Sequence, residues 1–212
     1  GDTADRQQLR IGLIKLLAGE AQDPKVLAVL AEAAERDLAG QSDALAPMLR
    51  VPGYAAYIGA APDTRTAEMF ERLATSTDPT QREIISFALG AQRDAAAGNW
   101  LLDRLSDARL SFTDRREILQ PLTEEPVTRD AALRWIIGHL DLLSKRSLPE
   151  RVVSFGGNAC SAEDANMWDS AIRPRVAGDA GASLALAVAV EKARNCDRLR
   201  MRRGKELSSL FE

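Results

Sequence analysis

Helix-start signals recur along this chain at short intervals, and almost nothing in it reads as a strand. Asp23-Pro24 and Asp78-Pro79 each place a carboxylate before a proline. The carboxylate accepts from the orphan N–H groups of a first turn, and the proline stands where its missing N–H costs nothing. Further starts are expected near Asp43, Asp63, Asp94, Asp114, Pro126, Ser161 and Asp179, most of them residues whose side chain accepts in the same way. After Pro24, residues Leu27, Leu30, Ala31, Ala34 and Leu38 fall at i, i+3, i+4, i+7 and i+11, one apolar stripe of an amphipathic helix that Gly40 stops. Leu9, Leu13, Leu16 and Leu17 form a similar stripe ending near Gly19, so the first two helices are expected to make a hairpin around a short loop. Val152-Val153 is the one faint strand-like case, and Gly156-Gly157-Asn158 breaks the chain before a fresh cap at Ser161.

Starts spaced roughly 12 to 21 residues apart, taken in pairs, give units of about 30 to 40 residues, the range of helical-repeat arrays. The expected fold is therefore all-α, an α-α superhelix of stacked antiparallel helix pairs of the HEAT or armadillo kind. One domain over residues 1–212 is expected, with a joint near 145–160. The repeat is structural rather than textual, because the stretches after Pro24 and Pro79 share only their cap and their stripe.

Composition then removes several function classes. Hydrophobic residues at 45% and charged residues at 28% are the balance of a soluble globular chain. The longest apolar run, Ala182 to Val190, stops at Glu191 and Lys192, far short of the roughly 18 residues of a membrane span. No membrane partner is expected. The chain opens on Gly1 with no initiator Met and no basic-then-apolar leader, as a piece cut from a longer polypeptide would. Lys192, Arg194, Arg198, Arg200, Arg202, Arg203 and Lys205 stand against one acid, Asp197, so that this stretch carries +6 in a chain of net charge −3. No aromatic residue lies among them to stack on bases, so the run reads as the solvated face of a terminal helix and no nucleic-acid partner is expected.

Residue types with catalytic potential are few. A single histidine, His139, cannot build a two-histidine zinc site. It shares a stripe with Trp135, Ile136, Leu140 and Leu143 and is expected to pack within a helix. Cys160 and Cys196 lack metal-knuckle spacing and are too few for a disulfide framework. Cys196, in register with Leu186, Val190, Ala193 and Leu199, reads as a buried structural thiol, and the pair leaves the redox compartment open. Trp100, Trp135 and Trp168 read as core. Glu124-Glu125 before Pro126 reads as a solvated turn, and no phosphate loop follows Gly156-Gly157. Arg173-Pro174-Arg175 sets two guanidiniums about a proline that ends or kinks its helix, a pair suited to meeting carboxylates.

The order of segments resembles a known family. The run Asp78-Pro79-Thr80-Gln81-Arg82-Glu83 into Phe87-Ala88-Leu89-Gly90, then Asp94 and Leu101 to Leu105, is similar to the C-terminal domain of the aminopeptidase N and puromycin-sensitive aminopeptidase family. The likeness continues through Thr113-Asp114, Ile118, Glu125-Pro126, Arg129-Asp130, Trp135 and His139 to Leu143. It closes with Phe155, Cys160-Ser161 and the helix from Glu191 to Cys196, and it covers residues 8 to 200. Thr128 stands where many members have glycine. The resemblance implies a non-catalytic bowl of helix pairs in a zinc-dependent exopeptidase whose metal ligands and catalytic groups lie upstream. No catalytic residue, metal ligand or cofactor site is carried onto this chain. Its partners would be the upstream catalytic domain of the same polypeptide and peptide substrates, whose terminal carboxylate would meet Arg173, Arg175, Arg194, Arg198, Arg200, Arg202 or Arg203. The alternative is an independent helical-repeat scaffold that binds another protein.

Overall fold

The computed structural model describes residues 3–144 and 148–208. Among the described residues the chain is all-helical, with twelve α-helices, two short 3-10 turns and no strand. It divides into two compact units, residues 1–121 and 122–212. Part of the expected joint, residues 145–147, lies outside the described residues, and residues 148–160 belong to the second unit.

The first unit contains α1 (Ala4–Gly19), α2 (Pro24–Leu38), a 3-10 turn (Pro47–Leu49), α3 (Arg50–Gly59), α4 (Pro62–Thr75), α5 (Pro79–Gly90), α6 (Ala95–Arg104) and most of α7 (Phe112–Glu124), whose last three residues fall beyond the division. Both Asp-Pro signals act as the chemistry requires. Asp23 Oδ1 accepts from the N–H groups of Lys25 and Val26 at 3.0 Å each, and Asp78 Oδ1 from that of Thr80 at 2.9 Å. Asp94 caps α6 through Ala97 N–H at 2.8 Å. Leu30, Ala31 and Ala34 are buried as the α2 stripe requires, and Gly40, at φ +99°, takes the left-handed turn that ends the helix.

The other expected starts in this unit differ in detail. Asp43 lies in a turn rather than at a helix N-terminus, because Leu45 is drawn into the core against Gly53, and the next helical turn waits until Pro47. The helix near Asp63 begins one residue earlier, at Pro62. Asp114 sits inside α7 and shares a reciprocal cap with Ser111: the Ser111 N–H donates to Asp114 Oδ2 at 2.6 Å, and the Asp114 N–H donates to Ser111 Oγ at 3.1 Å. The α1 stripe is also unlike its α2 counterpart. Leu9, Leu13 and Leu16 stay about half exposed or more, at 64%, 49% and 53%.

In the second unit lie α8 (Arg129–Gly138), α9 (Leu140–Leu143), α10 (Glu150–Ser154), a 3-10 turn (Phe155–Asn158), α11 (Ala162–Val176) and α12 (Ala180–Ser208). Pro126 falls in the turn before α8 rather than at its start, and the buried hydroxyl of Thr128 donates to Leu122 O at 2.8 Å, closing the end of α7. Val152 and Val153 are buried on a helix, not a strand. Trp168 fills the centre, its Nε1–H donating to Val153 O at 3.1 Å. A Cβ on Gly156 would collide with that indole, so the glycine pair makes a close approach as well as a break. Trp100 and Trp135 are only partly buried. His139 does not continue a helix. It separates α8 from α9, with its Nδ1 2.8 Å from Trp135 O and its ring stacked on Trp135 at 4.3 Å.

Arginines close helix ends throughout the first unit. Arg82 Nη1 donates to Leu73 O at 2.7 Å and Ser76 O at 2.9 Å at the end of α4, while Nη2 reaches Arg109 O at 3.0 Å and Asp114 Oδ2 at 2.6 Å at the start of α7. Arg115 donates to Leu105 O at 2.7 Å and Asp107 O at 2.9 Å, just past the end of α6. Burial would raise the Asp114 pKa, but the hydrogen bonds from Arg82 and Ser111 outweigh it and hold the group below the ordinary carboxylate value. Replacing Arg82 by Ala strands a buried carboxylate and several carbonyls, and is expected to cost about 3 kcal/mol in urea unfolding. Because the Asp114 pKa is depressed on folding, its contribution is complete above the ordinary carboxylate pKa and fades as pH falls through the folded value. Asp114→Asn should therefore flatten the acid limb of the stability curve as well as lower its plateau.

Candidate functional site

Helices α11 and α12 are joined by residues 177–179 and pack along Ala165, Trp168, Ile172 and Val176 on one side and Ala182, Leu186, Ala189 and Ala193 on the other, all buried. Outside that seam the two helices leave a groove of about 630 Å³. Ala162, Asp169 and Arg173 line it from α11, at i, i+7 and i+11 on one helical face. Ala187, Val190, Glu191, Arg194 and Arg198 line it from α12 at i, i+3, i+4, i+7 and i+11, with Asp197 beside them. The floor is apolar and the rim is charged.

Partners decide which of these charges are open to a ligand. Arg173 Nη2 donates to both oxygens of Asp169, at 2.7 and 2.8 Å, and that contact raises the guanidinium pKa further. Asp197 faces Arg200 Nη2 at 3.3 Å. Arg194, by contrast, donates to the neutral Oδ1 of Asn166 across the groove at 2.8 Å, and Arg198 donates to that of Asn195. Among the described residues neither guanidinium meets a carboxylate, and Glu191 makes no hydrogen bond or ion pair. Two exposed cations and one exposed anion therefore face solvent from the same face of α12.

The structure sorts the arginines singled out in the sequence. Arg173, Arg194 and Arg198 come together at the groove. Arg175 points elsewhere, donating to Asp141 Oδ1 and to Ser144 O at 2.7 Å each, so it closes the end of α9. Arg200, Arg202 and Arg203 stand further along α12, exposed and outside the groove lining.

The cysteines are not free thiols. Cys160 and Cys196 form a disulfide with Cα atoms 5.0 Å apart, and Cys196 is exposed rather than buried. A separation of 36 residues gives no sign of this, since the hairpin turn at 177–179 is what returns Cys196 to the start of α11. The bond joins Cys196, between Arg194 and Arg198 along one arm of the hairpin, to Cys160, just before the start of α11 on the other.

A zinc ion does not fit the residues present. His139 is alone, both cysteines are bonded to each other, and among the described residues no group of three His, Cys, Asp or Glu side chains is placed to hold a metal. Among the described residues, no helix is long and apolar enough to cross a membrane.

Compared with protein families, the chain matches the model of the ERAP1-like C-terminal domain over residues 1–195. No curated protein matches it. The match takes in Arg173 and Arg194 and ends just before Cys196 and Arg198.

Thiol titration of the unfolded, unreduced chain is expected to find no free thiol. Reducing the bond, or replacing both cysteines by serine, is expected to lower unfolding free energy by about 2 to 4 kcal/mol, since it releases a long loop in the unfolded chain. Two titrating thiols would contradict the pairing.

Proposed function

The chain belongs to the ERAP1-like C-terminal domain family, and from that premise we propose that it is the non-catalytic C-terminal domain of a zinc-dependent aminopeptidase, where its helix pairs wall part of the peptide cavity and bind the distal part of the substrate. The zinc ion and the groups that activate water belong, in this reading, to the upstream catalytic region of the same polypeptide. The chain's own contribution is to hold and orient.

The observation that carries the reading is the pair Arg194 and Arg198, set on one helical face above an apolar floor and hydrogen-bonded only to neutral amides. A guanidinium without a carboxylate partner is an acceptor-free fork of donors suited to a terminal carboxylate. Contacts made far from the reacting bond supply binding energy that can be used at the reaction centre, so their benefit falls on substrates long enough to reach them. The half-exposed leucines of α1 support a second part of the reading. An apolar stripe of this kind suits contact with the upstream region rather than with water. An independent protein-binding scaffold is not favoured by any specific feature of the groove.

The test uses the full-length enzyme with Arg194 and Arg198 both replaced by Ala. Its specificity constant for peptides of about eight to ten residues is expected to fall about tenfold, the loss of one charge-assisted contact. That for an aminoacyl anilide should fall far less. Equal loss on both substrates would show that the two arginines act through the enzyme's stability, and no loss on either would show that they are only a solvated face.

A further inference from the structure

The carboxylate reading leaves one groove charge unused. Glu191 stands on the same face of α12 as Arg194 and Arg198, exposed and without a partner among the described residues. We propose that the groove is a two-charge subsite: Arg194 and Arg198 take the terminal carboxylate of a peptide, and Glu191 selects a lysine or arginine side chain two residues before that end. This rests on the reading of the groove as the seat of the peptide's terminus.

Spacing supports it. At a rise of about 1.5 Å per residue, the midpoint between Arg194 and Arg198 lies roughly 7 to 8 Å along the helix from Glu191. An extended peptide advances about 3.3 Å per residue with every second side chain on the same face, so the side chain two residues before the terminal one lies roughly 7 Å back. An antiparallel or parallel course along α12 decides which end of the groove the peptide enters, and the free charges fit only the course that puts the carboxylate toward Arg198. Val190 and Ala187 lie beside Glu191 on the floor, where the methylene stem of a lysine or arginine gains apolar cover while its head reaches the carboxylate.

The rest of the rim does not compete for these charges. Asp169 is occupied by Arg173, and Asp197 faces Arg200, so the groove offers a ligand two cations and one anion in fixed order. The Cys160–Cys196 bond falls within the turn that carries both arginines and ties it to the start of α11. That turn is thereby held ready, which reduces the ordering cost of binding.

The experiment takes nine-residue peptides sharing their first six residues, with Lys, Ala or Glu third from the end, each as free acid and as C-terminal amide. The full-length enzyme is assayed by specificity constant, alone and as Glu191→Gln and Glu191→Lys, with melting temperatures checked against the parent. For free acids the expected order is Lys over Ala over Glu, about fivefold from first to last as for an exposed ion pair. Glu191→Gln should collapse that order and Glu191→Lys should reverse it. Free acids should exceed amides about tenfold in every variant. Amides hydrolysed as fast as acids would overturn the groove as a carboxylate subsite altogether. A preserved acid-over-amide ratio with no dependence on the third-from-last charge, or with the same order in Glu191→Lys, would overturn the selection by Glu191 alone.

Discussion

Every α-helix leaves carbonyls unpaired at its C-terminal end, and a chain built of many short helices has many such ends to satisfy. Here arginine does much of that work. Arg82 serves the carbonyls of Leu73, Ser76 and Arg109, Arg115 those of Leu105 and Asp107, Arg129 those of Thr123 and Glu124, and Arg175 that of Ser144. A planar guanidinium with five donors can meet several carbonyls and a carboxylate at once, which a lysine ammonium cannot do with the same geometry. The same helix-end chemistry explains why the reciprocal Ser111–Asp114 cap and the Thr128 hydroxyl stand where they do.

This use of arginine in the fold also separates the groove from the remaining surface. Of the arginines singled out in the sequence, Arg173, Arg175 and Arg200 meet carboxylates of their own unit. Arg194 and Arg198 do not, and they occur beside an apolar floor rather than on an open helix face. Charge density alone would point to the whole stretch from Lys192 to Lys205. Partner assignment together with the groove lining narrows it to one turn and a half of α12, and adds Glu191 as the anion in the same row.

Local chemistry makes much of this legible in the sequence. The Asp-Pro caps, the α2 stripe and the stop at Gly40 depend on residues within a few positions of one another, and they are found where expected. The family, too, is readable from the order of motifs along the chain, and the match over residues 1–195 agrees with it. The features that differ depend on contacts between distant residues. Asp43 has the chemistry of a cap, yet the burial of Leu45 against Gly53 decides the path there. His139 carries the right period but sits at a break, stacked on Trp135. The disulfide needs the α11–α12 hairpin before 36 residues can become 5.0 Å. The groove is invisible in the sequence for the same reason: its two faces have helical spacing, but only tertiary packing sets one against the other and shows which charges already have partners.

The central claim is that structural arginines are held by carbonyls and buried carboxylates, while Arg194 and Arg198 of the groove are held only by exposed amides. Hydrogen exchange of arginine side-chain N–H groups, read residue by residue by NMR, tests it in one experiment. The account predicts slow exchange for Arg82 and Arg115, whose Nε–H groups donate to Asp114 and to Leu105 O, and exchange near that of free arginine for Arg194 and Arg198. Equal protection of Arg194, Arg198 and Arg82 would contradict it, because the groove guanidiniums would then be bound into the fold as firmly as the others.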